Sequence, residues 1–146
     1  MKVLMVCLGN ICRSPLAHGI LAEKMKSWEV DSAGTANYHI GKLPDPRSIK
    51  VAKDHGLDIT YQRARQIEKK DLSYYDLILT MDAENYNNVL KLADHPSKKE
   101  KVQLILNFLY PGENRVVPDP YYNGRFEEVY MLLDKATDAI LNQYST

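Results

Sequence analysis

The stretch Val3-Leu-Met-Val-Cys7-Leu-Gly-Asn-Ile-Cys-Arg13-Ser-Pro15 decides the fold and carries the chemistry. Val3–Val6 is a short unbroken apolar run, as expected of a strand buried on both faces of a parallel sheet. A tight loop follows, opened by Cys7 and closed by Arg13 after five intervening residues. Ser14 reads as a helix N-cap and Pro15 as the first helical residue. Leu16, Ala17, Ile20, Leu21 and Met25 then fall on one helical face. A strand, a tight loop and a helix start make an anion cradle, because backbone N–H groups and the positive end of the helix dipole converge on one point.

Each residue type in the loop meets a demand of that chemistry. Wrapping N–H groups around an anion calls for positive φ, which Gly9 adopts freely and Asn10 tolerates. Arg13 offers a planar fork that grips two phosphate oxygens. A helix N-terminus and a neighbouring cation favour the thiolate form of Cys7, and the Ser14 hydroxyl is placed to donate a further hydrogen bond to the sulfur. The pattern implies hydrolysis of a phosphate ester through a phosphocysteine intermediate. Leu8, Gly9, Asn10, Ile11, Cys12 and Ser14 are therefore expected to bind the substrate's phosphate. The plainer reading makes Cys7 and Cys12 small buried hydrophobes and Arg13 a surface charge. The upstream strand, the internal Gly-Asn and the Ser-Pro helix start weigh against it.

Outward from this loop, strands alternate with helices. Trp28–Ser32 reads as a second strand closed by Ala33-Gly34-Thr35, with Trp28 a core residue. Asp45-Pro46-Arg47 starts a helix that continues through Ile49, Val51 and Ala52 toward Gly56. Asp76–Thr80 is a third buried strand, Ala83–Leu92 a helix and Lys101–Ile105 a fourth strand. A loop, Val116–Tyr122, precedes a long helix with Phe126, Val129, Tyr130, Leu133, Ala136, Ile140 and Leu141 facing inward. Alternation of this kind predicts an α/β chain forming one domain over residues 1–146, with a four-stranded parallel sheet and helices on both faces. Ligands bind beyond the carboxyl ends of such strands, and Cys7 sits at one.

Composition narrows the function class. Lys+Arg and Asp+Glu are both 19, so the net charge is zero and no general footprint for nucleic acid or an anionic membrane is expected. No apolar run approaches a membrane span, and Val3–Val6 is too short for a signal peptide. A cytoplasmic enzyme is the expectation. The two cysteines share one short loop, which suits neither a disulfide framework nor a zinc site. His18, His39, His55 and His95 show no metal-ligand spacing. No metal or other cofactor is expected.

A phosphate ester with a poor leaving group needs a proton donor. Asp119, stiffened by Pro118 and Pro120, is the leading acid, and Tyr121 and Tyr122 offer aromatic walls for a phenyl ring. Asp31, Asp45 and Asp82 are rivals, and Pro-Asp-Pro also makes ordinary turns.

These residues resemble the low-molecular-weight protein tyrosine phosphatases. The similarity lies in Val6-Cys-Leu-Gly-Asn-Ile-Cys-Arg-Ser-Pro15, Asp31-Ser-Ala-Gly-Thr35, Pro44-Asp-Pro-Arg47, Ala64-Arg-Gln-Ile67, Asp76-Leu-Ile-Leu-Thr-Met-Asp82 and Asp119-Pro-Tyr-Tyr122, in family order along nearly the whole chain. The resemblance implies Cys7 as nucleophile, Arg13 as phosphate clamp and Asp119 as general acid, without a metal. It implies that Ser14 supports the thiolate and that a polar network including Ser32 holds Asn10 left-handed. Cys12 matches a loop cysteine that forms a reversible disulfide with the nucleophile in the family. Tyr38 matches an often aromatic position at the cleft rim. A histidine common in eukaryotic members aligns with Gln62, so the network behind Asn10 is expected to be wired differently. Phosphotyrosine-containing proteins are the implied partners, and phosphate or vanadate the implied inhibitors.

Other functions are weighed beside this one. An arsenate reductase needs a further cysteine beyond the loop, and none follows Cys12; an external thiol would have to replace it. A protein-arginine phosphatase is closer. In such relatives the position of Ile11 resembles a threonine, whereas Ile11 offers no hydrogen bond. A non-catalytic phosphate-binding module leaves the set Cys7, Arg13 and Asp119 without a purpose.

Overall fold

The computed structural model describes residues 1–144. From the N-terminus it runs β1 (Lys2–Cys7), α1 (Arg13–Lys24), β2 (Glu29–Gly34) and α2 (Pro46–Asp54), then α3 (Asp71–Tyr74), β3 (Leu77–Thr80) and α4 (Ala83–Leu90). It ends with α5 (Pro96–Lys99), β4 (Val102–Leu104), a 3-10 turn (Ile105–Asn107), α6 (Pro120–Asn123) and α7 (Phe126–Tyr144). The four strands form one parallel sheet in the order β2-β1-β3-β4. The expected architecture is observed.

The apolar run of β1 is continuous because its residues are shared between two layers. Val3, Met5 and Cys7 face a cluster with Leu16, Ala17, Ile20 and Leu21 of α1, Val51 and Ala52 of α2, and the inner stripe of α7. Leu4 and Val6 face the opposite layer, with Leu72 of α3 and Val89 of α4. Period-two side-chain alternation thus sends alternate residues to opposite faces, and both faces are covered. Trp28, expected in the core, is partly buried and packs against the edge of the first cluster.

Most expected boundaries shift by one or two residues, with Trp28, Asp76, Lys101 and Ile105 outside their strands and α4 ending at Leu90. Ala33 and Gly34 belong to β2 rather than closing it, because Val6 and Cys7 of the central strand pair with them. The Val116–Tyr122 loop contains a helical turn, α6, for which Asp119 is the N-cap. The chain leaves β1 toward β2 on one side and reaches β3 on the other. That reversal of strand order opens a crevice at the carboxyl end of β1, where Cys7 lies.

Candidate active site

Between β1 and α1 the chain wraps into a loop whose carbonyls are held from outside. Thr35, Ala36 and Asp45 donate their N–H groups to the carbonyls of Cys7, Leu8 and Ile11 at 2.9, 2.9 and 2.8 Å. In a planar trans peptide the N–H points opposite to the C=O. The N–H groups of Leu8, Gly9 and Cys12 therefore point away from these three partners, which leaves them available to an anion held by the loop.

Helix α1 begins at Arg13 with Cys12 as N-cap and no side-chain cap bond, so Ser14 is not the cap expected from sequence. Its hydroxyl has another task. Ser14 Oγ lies 3.0 Å from Cys7 Sγ and accepts from Asn10 Nδ2 at 2.9 Å. The Arg65 N–H donates to Asn10 Oδ1 at 3.0 Å, which fixes which end of the amide faces Ser14. Ser14 accepts from Asn10 with one lone pair, which leaves its own proton available to a thiolate at Cys7. Arg65 is itself anchored by Asp71, with its guanidinium nitrogens at 3.0 and 3.2 Å from the two carboxylate oxygens.

Of the two residues expected at positive φ, only Asn10 is there, at 58°. Gly9 serves packing instead: a Cβ on it would stand 2.9 Å from the His39 ring. Gly34 is more constrained, since a Cβ there would meet the Leu8 carbonyl oxygen at 2.7 Å and the Asn10 nitrogen at 3.1 Å. The loop rests directly on the end of β2.

Ser32 is buried behind this loop but does not bond to Asn10. Its hydroxyl lies 3.0 Å from Nδ1 of His18 on α1. Burial pushes the His18 imidazole down to about 4, against an opposing pull from Asp31, so it is neutral at pH 7. Gln62 turns away and donates to the Pro15 carbonyl at 3.0 Å. Asn10 is held by Ser14 and the Arg65 N–H, and neither Ser32 nor Gln62 takes part.

Arg13 is buried. Its Nη1 donates to Asp82 Oδ2 at 2.8 Å and to the Val117 carbonyl at 2.9 Å, while Nη2 stands 3.7 Å from Asp119 Oδ2. Burial opposes its charge, but Cys7, Asp82 and Asp119 more than offset this and raise its pKa. Asp119 divides its carboxylate: Oδ1 accepts from the Tyr121 N–H at 3.0 Å to cap α6, and Oδ2 is the atom nearest Arg13. The rival acids are otherwise engaged. Asp82 orients Arg13 and caps α4, Asp45 caps α2 and pairs with Arg47, and Asp31 pairs with Arg65.

A cleft of about 160 Å³ collects most of the expected residues. Cys7, Leu8, Gly9, Ile11, Cys12 and Arg13 form its floor, and Asp119, Tyr38, Tyr121 and Tyr122 its walls. Asn10, Ser14 and Ser32 stand behind the floor rather than in it. Tyr121 and Tyr122 meet edge to face with centroids 5.2 Å apart, and Arg47 lies 5.3 Å over the Tyr121 ring. Cys12 is buried near Cys7, and desolvation with nearby Asp45 pushes its thiol up to about 12. His39, which the sequence did not single out, also lines the cleft. The pairing of Asp82 with Arg13 was equally hidden, because it joins residues far apart in the chain. Among the described residues no cluster of His, Cys, Asp and Glu could hold a metal ion. No described helix is long and apolar enough to cross a membrane.

The family model for low molecular weight phosphotyrosine protein phosphatase matches residues 2–145. Low molecular weight phosphotyrosine protein phosphatase 1 of Drosophila melanogaster is 43% identical, covering 97% of this chain and 96% of its own. The crystal structure of YfkJ from Bacillus subtilis is similar with a TM-score of 0.91 at 34% identity, covering 98% of this chain and 93% of that one. A drosophila arginine phosphatase is similar with a TM-score of 0.91 at 33% identity, covering 100% and 99%.

Proposed function

Because the chain belongs to the low molecular weight phosphotyrosine protein phosphatase family, we propose that Cys7, Arg13 and Asp119 carry out its phosphotyrosine hydrolysis. The enzyme is a protein-tyrosine phosphatase, a phosphoric monoester hydrolase. Cys7 Sγ attacks phosphorus in line, forming the S–P bond as the bond to the phenolic oxygen breaks. Asp119 delivers a proton to that oxygen. Water then attacks the phosphocysteine, with Asp119 taking a proton as base, and phosphate leaves. Arg13 and the inward N–H groups hold the equatorial oxygens throughout, where charge builds in the transition state.

One observation carries this assignment: Cys7 Sγ faces a hydroxyl whose proton is free, in a cleft that also contains the Arg13 guanidinium and the Asp119 carboxylate. Cys7→Ser tests it. Turnover of an aryl phosphate should vanish while phosphate or vanadate still binds, since the clamp and backbone remain. Near wild-type turnover would overturn the nucleophile assignment.

Phosphotyrosine-containing proteins are the substrates this reading assigns, with phosphate and vanadate as inhibitors. Two free thiols suit a reducing compartment such as the cytoplasm. The likeness to an arginine phosphatase raises phosphoarginine as a second substrate class. The tyrosine walls and the apolar Ile11 favour a phenyl ring over a guanidinium. Comparing kcat/KM on matched peptides carrying phosphotyrosine, phosphoarginine or phosphoserine decides between them. A preference for phosphoarginine would replace the substrate and leave the nucleophile in place.

A further inference from the structure

A second recess, of about 360 Å³, opens beside the catalytic cleft and shares Leu8, Arg13, Asp119 and Tyr122 with it. Its far side is built by the first turn of α4, from Asp82, Glu84 and Asn85. The three carboxylates here are not equivalent. Asp82 is committed to Arg13 and to the helix cap, and Asp119 leans toward Arg13 while capping α6. Glu84 is exposed and has no hydrogen bond or ion pair among the described residues.

Asn85 supplies an independent sign of a missing partner. The residue is 1% exposed, and its side-chain oxygen is buried without a hydrogen bond. Buried acceptors of this kind are nearly always paired, so this one calls for a donor. Among the described residues Arg13 is the one cation lining the recess, and it is turned to Asp82 and the Val117 carbonyl. Nearby Arg115 is taken by Glu113 at 2.8 Å. Exposed Val116 and Tyr122 provide apolar surface suited to an aliphatic stem.

We infer that this recess is a specificity subsite for a cationic side chain, lysine or arginine, lying close to the phosphotyrosine of the substrate. The inference rests on the phosphotyrosine reading above. Phosphate binding strengthens the case, because the dianion draws on the charge of Arg13 and leaves the Glu84 carboxylate as the uncompensated charge of the recess. A lysine or arginine there meets Glu84 with its charge, Asn85 with an N–H, and Val116 and Tyr122 with its methylenes.

The test uses phosphotyrosine peptides in which lysine, alanine or glutamate is placed in turn at each of the flanking positions. Wild type should show a kcat/KM about fivefold higher for lysine than for alanine at one or two positions, the range of a partly exposed ion pair. Glutamate there should fall below alanine, and the preference should shrink in 1 M salt. Glu84→Gln should bring lysine and alanine level while leaving p-nitrophenyl phosphate turnover unchanged. Equal kcat/KM across all three residues in wild type would overturn the subsite, as would a lysine preference that survives Glu84→Gln. Loss of p-nitrophenyl phosphate turnover in Cys7→Ser, together with a flat peptide profile in wild type, would remove the subsite alone and keep the catalytic assignment.

Discussion

Asp82 accepts a 2.8 Å hydrogen bond from Nη1 of Arg13 with one carboxylate oxygen and caps α4 through the Asn85 N–H with the other. One side chain thus fixes both the Arg13 guanidinium and the start of a helix. The two tasks can be separated. Asparagine is a good N-cap, so Asp82→Asn should keep the helix and lose the charge that steadies Arg13. Phosphate or vanadate inhibition should weaken by about tenfold, in line with a charge-assisted bond. Asp82→Ala should weaken it similarly and also cost about 1 kcal/mol of stability from the lost cap. Inhibition constants and urea melts of the two variants provide the check. Unchanged inhibition in both would mean that Arg13 holds its position without Asp82.

Asp119→Ala should lower kcat by about 10²–10⁴-fold, the range for a missing general acid. The loss should be largest for leaving groups of high pKa and shrink for activated phenols that depart without a proton. A series of substituted aryl phosphates measures this. A penalty independent of the leaving group would remove Asp119 from that role.

A brief peroxide pulse should inactivate the enzyme reversibly through a Cys7–Cys12 disulfide. The Cys12 thiol, pushed up to about 12, stays protonated at neutral pH, so oxidation begins at Cys7 and its sulfenic acid is captured by the neighbour. Dithiothreitol should restore wild type and recover much less of Cys12→Ser, where sulfenic acid proceeds to irreversible forms. Equal recovery would exclude protection by Cys12.

His18 should make the fold acid-sensitive. Its value of about 4 in the folded state lies below the ordinary 6.5, mainly through burial. Between these values the unfolded chain binds the extra proton, so stability falls as pH drops from about 6.5 toward 4. For this group alone the loss between pH 7.5 and 5 is about 2 kcal/mol. His18→Gln, which keeps a hydrogen-bonding partner for Ser32, should flatten that part of the profile. Denaturant melts at both pH values compare the two proteins, and parallel profiles would show that the imidazole is not the sensitive group.

The order of strands and main helices was legible because each carries a periodic signal: β1 as an apolar run, α7 as a long inward stripe. The one-turn helices α3, α5 and α6 are too short for any period to register. For α6 a signal did exist, since Asp119-Pro120 repeats the Asp45-Pro46 helix start. The loop from Cys7 to Arg13 was legible because its chemistry is local. Its supports were not, because the bonds from Arg65 to Asn10, from Arg13 to Asp82 and between His18 and Ser32 join separate elements. Ser14 was read as a cap because serine beside proline usually is one. The tertiary demand of the sulfur and of Asn10 overrode that local preference.

The position of β1 in the sheet also bears on how the chain folds. Val3 pairs with Val30 on one side and with Leu77 on the other, so the strand that carries Cys7 acquires its second neighbour only after Leu77 is available. Parallel pairing across such separations makes folding slow relative to helical proteins of similar size. During synthesis Cys7 therefore emerges before β3 and waits, unsheltered, for that strand to arrive. Catalytic competence is a late product of assembly, and a chain stalled before β3 carries the thiol of Cys7 without the fold that gives it a purpose.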